Sequence, residues 1–428
     1  MTAAADIAGR AVDHDIQVLT RHRPGAEITT VSVWILAGAR DETTPGTAHL
    51  FEHLVMQAVP PGRTMRVIDE IESYGGEGNA ITARDYVVLY ARVPTVDALP
   101  VLDLLAEAAT VTEFDPVLIE AERRVVLEEL RLAEADPTDI VHDVFFAAVY
   151  GDHPMGRPVG GAPADVLRLT AADVAAWSRR HLQAGRVAVV VTGGVTPAAV
   201  TAATARSALA GLSVPHQRAR TVRPATEPLP LPPPLPFPLP STAAGVPARR
   251  LDHPLPGDTA VVVLGGPAFA LADPRLAAAE VVMELFAGGN TSVLVERLRT
   301  DLGLSYDIWG DLSGYADTGV WRIAITTAIE HRDEVARLAA DLIRSAVADG
   351  WSDARVAVAR RRAAGLVRLD AETSLDETLL LGRHALLGGS AGWSVAEYAD
   401  RIAAAAPQQV HDAAVSMADQ LVVATAGG

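Results

Sequence analysis

Cysteine is absent from the 428 residues. That excludes a disulfide framework, a thiolate nucleophile and any thiolate metal site. A zinc ion, if one is bound, must be held by nitrogen and oxygen ligands. Long apolar runs are also missing: no uninterrupted stretch reaches the roughly 20 residues that cross a bilayer. The first residues, MTAAADIAGRAVDHDIQ, lack a basic segment followed by an apolar core. They do not read as a signal peptide, and a cytoplasmic location without membrane attachment is expected. Basic charge is in deficit, with 36 Lys+Arg against 53 Asp+Glu and a formal net charge of -17. Phosphate binding needs a basic surface, so nucleic acid is excluded as the main partner. The acidic balance suits either plain solubility or the steering of a cationic peptide.

What is present is the composition of an ordinary globular protein, 49% hydrophobic and 21% charged. The length exceeds one ordinary core and fits two or three domains. The clearest punctuation is PATEPLPLPPPLPFPLPSTAAG, from Pro224 to Gly245. Closely spaced prolines cannot join a helix or a central strand, so the segment reads as a semi-rigid spacer. A ligand for a proline-recognising domain is the alternative reading. The chain accordingly divides into 1–222, a linker at 223–247, and 248–428.

The two halves read as weak copies of each other. Each opens with an apolar strand pattern, Val31 to Leu36 and Ala260 to Leu264. A helical segment follows, around Ala48 to Met56 and Leu276 to Phe286. Then comes a glycine-marked hairpin, Gly75 to Val93 and Leu304 to Ile325. Two helices succeed it, Asp97 to Ala109 and Asp115 to Glu134 in the first half, Arg332 to Val347 and Ser352 to Ala371 in the second. Each half ends in an apolar strand, Val187 to Thr192 and Leu421 to Thr425. The predicted class is α+β: two homologous domains, each an antiparallel sheet packed with helices.

His49-Leu50-Phe51-Glu52-His53 is H-x-x-E-H, the inverted zinc-hydrolase motif. Residues four apart share a helix face, so His49 and His53 can reach one ion. Glu52 stands close enough to deprotonate a water at that ion. Two surface histidines with an ordinary i,i+3 glutamate are the alternative. A catalytic zinc needs a third protein ligand, for which Glu129 in EAERRVVLEEL is the candidate. Glu122 lies two turns earlier on nearly the same face, suited to orienting a ligand.

At this point the chain resembles the M16 (pitrilysin or insulinase-type) zinc metallopeptidases of the two-domain kind. The resemblance rests on H-x-x-E-H followed by the glutamate pair spaced by seven. Pro45-Gly46-Thr47-Ala48-His49 is similar to the family's G-x-A-H lead-in. Gly76-Glu77-Gly78-Asn79-Ala80-Ile81-Thr82 is similar to its G-x-x-N-A-x-T strand, and His153-Pro154-Met155-Gly156-Arg157-Pro158 to its H-P-L-G-R-P loop. The resemblance implies His49, His53 and Glu129 as zinc ligands, Glu52 as general base and Glu122 as the carboxylate behind a ligand. It further implies that Asn79, Ala80 and Thr82 bind substrate by strand addition.

The second half has no histidine on its equivalent helix, and Ala359 and Leu366 stand near the positions of Glu122 and Glu129. It therefore has no second zinc site. It carries Arg299 and Tyr306, spaced by seven, which the resemblance implies bind the substrate carbonyl and its oxyanion. A surface Arg and a core Tyr are the alternative. One departure is Val293, where related chains often have an arginine. The implied activity is endopeptidase cleavage of short or unfolded peptides, extending to leader or precursor processing, within a closed dimeric chamber. Both residue sets on one chain favour a homodimer; a heterodimer with an M16-like paralogue is the other arrangement. A catalytically silent or structural subunit is the competing function.

Overall fold

Valine-rich runs and glycine-marked turns build two sheets in the computed structural model, which describes residues 11–13, 16–213, 249–389 and 393–428. The proline-rich Pro224–Gly245 lies outside the described residues. The first sheet holds β1 (Ala11–Asp13), β2 (Ile16–His22), β3 (Ile28–Ile35), β4 (Glu77–Thr82), β5 (Val87–Pro94) and β6 (Val187–Gly193), in the order β1-β2-β6-β3-β5-β4. The second holds β7 (Arg249–His253), β8 (Thr259–Ala268), β9 (Ser305–Gly314), β10 (Gly319–Ala328) and β11 (Val422–Ala426), in the order β7-β11-β8-β10-β9. Taken in chain order, the second sheet repeats the first without β1. The predicted α+β duplication is therefore present. Neighbouring strands are antiparallel except for one parallel pair in each sheet, β2 with β6 and β7 with β11.

The described residues form two compact units. One takes them from Met1–Leu130, Pro158–Pro224 and Asp370–Val395, the other from Arg131–Arg157, Ala225–Leu369 and Ala396–Gly428. A single cut in the chain does not separate them. The halves 1–222 and 248–428 exchange segments.

The reason lies in the sheets. β3 is buried along nearly its whole length, so both of its faces must be covered. On one face Val31, Val33 and Ile35 share a core with Leu50, Phe51 and Leu54 of the helix Thr47–Gln57 and with Leu102 and Leu105 of Ala98–Ala109. The other face meets the helix Ser374–Gly382. There Trp34 Nε1 donates to Ser32 Oγ at 2.9 Å, and Ser32 Oγ donates to Val190 O at 2.7 Å. A Cβ at Gly382 would come within 2.2 Å of the Trp34 ring, so only glycine fits. Arg21 and Arg23 both reach the buried Glu377 of that helix, at 3.2 and 2.6 Å. In the second unit the helix Pro137–Tyr150 plays the corresponding part: Phe145, Phe146 and Tyr150 share a core with Val261, Val263, Val422 and Ala424. Tyr150 OH donates to Gly319 O at 3.1 Å.

Among the described residues no helix is long and apolar enough to cross a membrane.

Candidate metal centre

The H-x-x-E-H segment lies on the helix Thr47–Gln57, within one residue of the expected span at each end. Leu50, Phe51, Leu54 and Val55 are buried against the sheet, which leaves His49, Glu52 and His53 on the half-exposed side. Gly46 precedes the helix in the left-handed region, φ 86, where a Cβ would be strained. The buried Glu42 then caps the helix. Its carboxylate accepts from Gly46 N at 2.9 Å and from Ala48 N at 2.5 Å, satisfying amides that have no partner within a first turn.

The long helix Pro116–Ala135 buries Ile119 and Val126 in the same core. That fixes its rotation and turns Glu122 and Glu129 toward the histidines. Glu129 Oε2 lies 3.8 Å from His49 Nε2 and 3.5 Å from His53 Nε2. One ligand atom from each of His49, His53 and Glu129 lies within 4.8 Å of the others. Two atoms at ~2.1 Å from one zinc at a tetrahedral angle stand ~3.4 Å apart, so the set fits a zinc ion in spacing and in donor chemistry. Glu122 Oε2 lies 3.3 Å from His53 Nδ1. Donation of the Nδ1 proton to Glu122 leaves the Nε2 lone pair facing Glu129, the tautomer a metal requires.

His49 is set by packing instead. Its Nδ1 is buried without a hydrogen-bond partner. A Cβ at Gly160 would fall 3.3 Å from that atom and 2.8 Å from Leu130 Cδ2. Burial pushes the His49 pKa down, opposed by the charge of Glu52, so the imidazole is neutral at pH 7 and free to ligate.

Glu52 receives a hydrogen bond from Thr82 Oγ1 to Oε2, 2.6 Å. Thr82 ends β4, which lies at the edge of the sheet and, among the described residues, pairs with β5 alone. Asn79 sits on the opposite strand face from Ala80 and Thr82. Its Oδ1 accepts from Ala80 N at 2.9 Å, and it stands opposite Tyr90 of β5, whose phenol pKa burial pushes up. Thus the three strand residues have distinct settings, and the side chain of Thr82 is directed at Glu52.

In the second unit Arg299 and Tyr306 come together. Arg299 lies in the π-helical turn Val295–Asp301 and Tyr306 near the start of β9. The guanidinium carbon is 5.0 Å from the centre of the Tyr306 ring. Tyr306 is 83% exposed, so it is not a core tyrosine. The helix Leu276–Phe286 has no histidine, and its Glu284 pairs with Arg362 at 2.5 Å. His153 turns back on itself to accept from Met155 N at 3.2 Å, and Met155 is buried in the second unit's core. Two residues of the first unit's centre escaped the sequence reading, Glu42 and Gly160. The only sequence signal for Glu42 is an acid a few residues ahead of a helix start; Gly160 gave none.

Two family models match the chain: "Insulinase (Peptidase family M16)" over residues 17–162 and "Peptidase M16 inactive domain" over residues 168–363. An uncharacterized zinc protease of Mycobacterium bovis is 30% identical over 373 residues, 87% of this chain and 82% of that protein. The chain belongs to the M16 peptidase family. This M16 chain is also 26% identical over 390 residues to the mitochondrial-processing peptidase subunit beta of Lentinula edodes, covering 88% of this chain and 80% of that one. In structure it matches the crystal structure of a peptidase M16 inactive domain from Pseudomonas fluorescens with a TM-score of 0.80, 19% identity and 97% of both chains covered. That likeness supports the two-domain α+β fold. The names of the relatives make zinc and peptide hydrolysis properties of the family.

Proposed function

We propose that this M16 chain is a zinc-dependent endopeptidase acting on short or unfolded peptides. The observation that carries the reading is the convergence of His49, His53 and Glu129 on one point, with Glu52 held beside them by Thr82. Zinc bound there would polarise a peptide carbonyl and acidify water. Glu52 takes the proton of the attacking water and returns it to the leaving amine. Glu122 holds the His53 ring in its ligating tautomer. The backbone of β4, at Asn79 and Ala80, pairs with the substrate as an added strand, and Arg299 and Tyr306 supply donors to the oxyanion.

Strand addition requires an extended peptide, which is the basis for short or unfolded substrates. The relative named a processing peptidase supports leader or precursor removal as the task. Its being a subunit supports a paired assembly, here a homodimer that closes a chamber, with a heterodimer as the alternative. Action in the cytoplasm is part of the same proposal.

A catalytically silent subunit is the second reading, favoured by the "inactive domain" description of the model over residues 168–363. Glu52→Gln decides between the two. The purified chain is expected to hold one zinc and to cleave an unstructured peptide, and the variant to keep the metal while losing about 100-fold or more in rate. A metal-free chain, or a variant as fast as the parent, defeats the enzyme. Light scattering at assay concentration is expected to give twice the chain mass; cleavage that appears only on adding an M16-like partner establishes the heterodimer.

A further inference from the structure

Among the described residues Thr82 is the one strand residue whose side chain bonds the candidate base, and this sets it apart from its neighbours on β4. We infer that Thr82 is a positioning residue for Glu52: it holds the base in line with the strand on which the substrate docks. The inference rests on the reading of Glu52 as general base. It differs from the sequence expectation, which gave Thr82 to the substrate.

Strand parity comes first. Gly78, Ala80 and Thr82 share the face of β4 turned toward the helices. A Cβ at Gly78 would meet Ile71 Cδ1 at 2.6 Å, and Ala80 is buried in the core. Thr82 is the next residue on that face, where the core gives way to the metal centre. Its register is fixed by pairing with Val87, as Ala80 pairs with Leu89. An added peptide would use the open backbone edge of β4, so the side chain of Thr82 is not needed for docking and is spent on Glu52.

The hydrogen bond itself comes second. Thr82 Oγ1 donates to Glu52 Oε2 at 2.6 Å, while its distance to Ala48 O, 3.5 Å, is too long to compete. Among the described residues Glu52 has no other hydrogen-bond partner. A half-exposed glutamate held by nothing else would spread over several rotamers. Threonine is stiff at χ1, so a strand that fixes its backbone also fixes its hydroxyl. With Oε2 engaged, Oε1 is left to take the proton from water. One strand thus sets both where the peptide lies and where the base waits.

The two roles for Thr82 separate kinetically, because a substrate contact shows in KM and a positioned base shows in kcat. The test uses the full chain, zinc-loaded, with a fluorogenic unstructured peptide. It compares Thr82→Val, which removes the hydroxyl at constant shape, with Thr82→Ser, which keeps it. Thr82→Val is expected to lower kcat about 10- to 100-fold with KM within about twofold. Thr82→Ser is expected to stay within about threefold of wild type. Zinc affinity, read by chelator competition, is expected to be the same in all three proteins. An unchanged kcat in Thr82→Val overturns the inference. So does a raised KM with kcat preserved, a loss of zinc, or a Thr82→Ser as slow as the valine. Should the valine variant fail to show a native unfolding transition, Thr82→Ala replaces it under the same criteria. Glu52→Gln runs alongside: if it cleaves at the wild-type rate the base assignment falls. If it is inactive while Thr82→Val is not slowed, only the inference about Thr82 falls.

Discussion

His181 stands at the end of its helix, 3% exposed, with Arg186 donating to its Nδ1 at 3.1 Å. Burial, helped by the charges of Arg186 and Arg180, pushes its pKa down from 6.5 to about 4. The folded value lies below the unfolded one, so between the two the unfolded chain binds more protons. Stability from this residue is therefore complete above the unfolded value of 6.5 and is lost as pH falls toward 4. At pH 5 the loss is about 2 kcal/mol. His181→Gln retains an acceptor for Arg186 but cannot take up a proton. Urea unfolding at pH 7.5 and pH 5 is expected to show a drop in the wild type larger by about 2 kcal/mol than in the variant. Equal drops would mean that His181 titrates as it does in the unfolded chain.

At the scale of elements, the metal centre depends on how one helix begins. Glu42 accepts from Gly46 N and Ala48 N, so the residue just before His49 hangs from its carboxylate. Loss of a cap of this kind costs about 1–2 kcal/mol. The loss is focused on the turn that carries His49, which has no hydrogen bond at Nδ1 to steady it. Glu42→Ala is expected to lower the unfolding free energy by that amount and to weaken zinc binding about tenfold, measured by thermal melting and chelator competition. Glu42→Gln, with one acceptor oxygen left, should fall between. Full zinc affinity in Glu42→Ala would reduce Glu42 to an ordinary stabilising cap.

This element also marks where the sequence stops being informative. His49, Glu52 and His53 are legible from the spacing of one motif on a helix, and Glu122 and Glu129 from their spacing of seven together with the family resemblance. The helix Leu276–Phe286 falls where the apolar pattern placed it. Glu42 and Gly160 are not legible, because their roles depend on the path of loops that no periodicity encodes. Thr82 is half legible: its strand could be read, but which neighbour its hydroxyl reaches depends on how the helix packs over β4.

Across the whole molecule the same limit appears in the exchanged helices. The segment Ser374–Gly382 buries a mixed face with Glu377, Thr378 and Leu381 and Pro137–Tyr150 an apolar one, and neither pattern says which sheet the helix covers. The structure assigns the first to the unit that carries the metal centre and the second to the other unit. A fragment of residues 1–222 therefore lacks the helix that covers Trp34 and pairs Glu377 with Arg21 and Arg23. It keeps Pro137–Tyr150 but has lost the strands β8 and β11 on which Phe145 and Tyr150 pack. Both defects expose large apolar surface that full-length folding removes, and each aromatic side chain left in water forgoes about 2–3 kcal/mol. Expressed alone, 1–222 is expected to aggregate or to lack a near-ultraviolet circular dichroism signal and zinc affinity. Coexpressed with 248–428 as a separate chain, it is expected to recover both, since the missing helix then arrives in trans. A fragment 1–222 that folds alone and binds zinc as tightly as the intact chain would show that the exchange is dispensable and that the metal-bearing half carries its own stability.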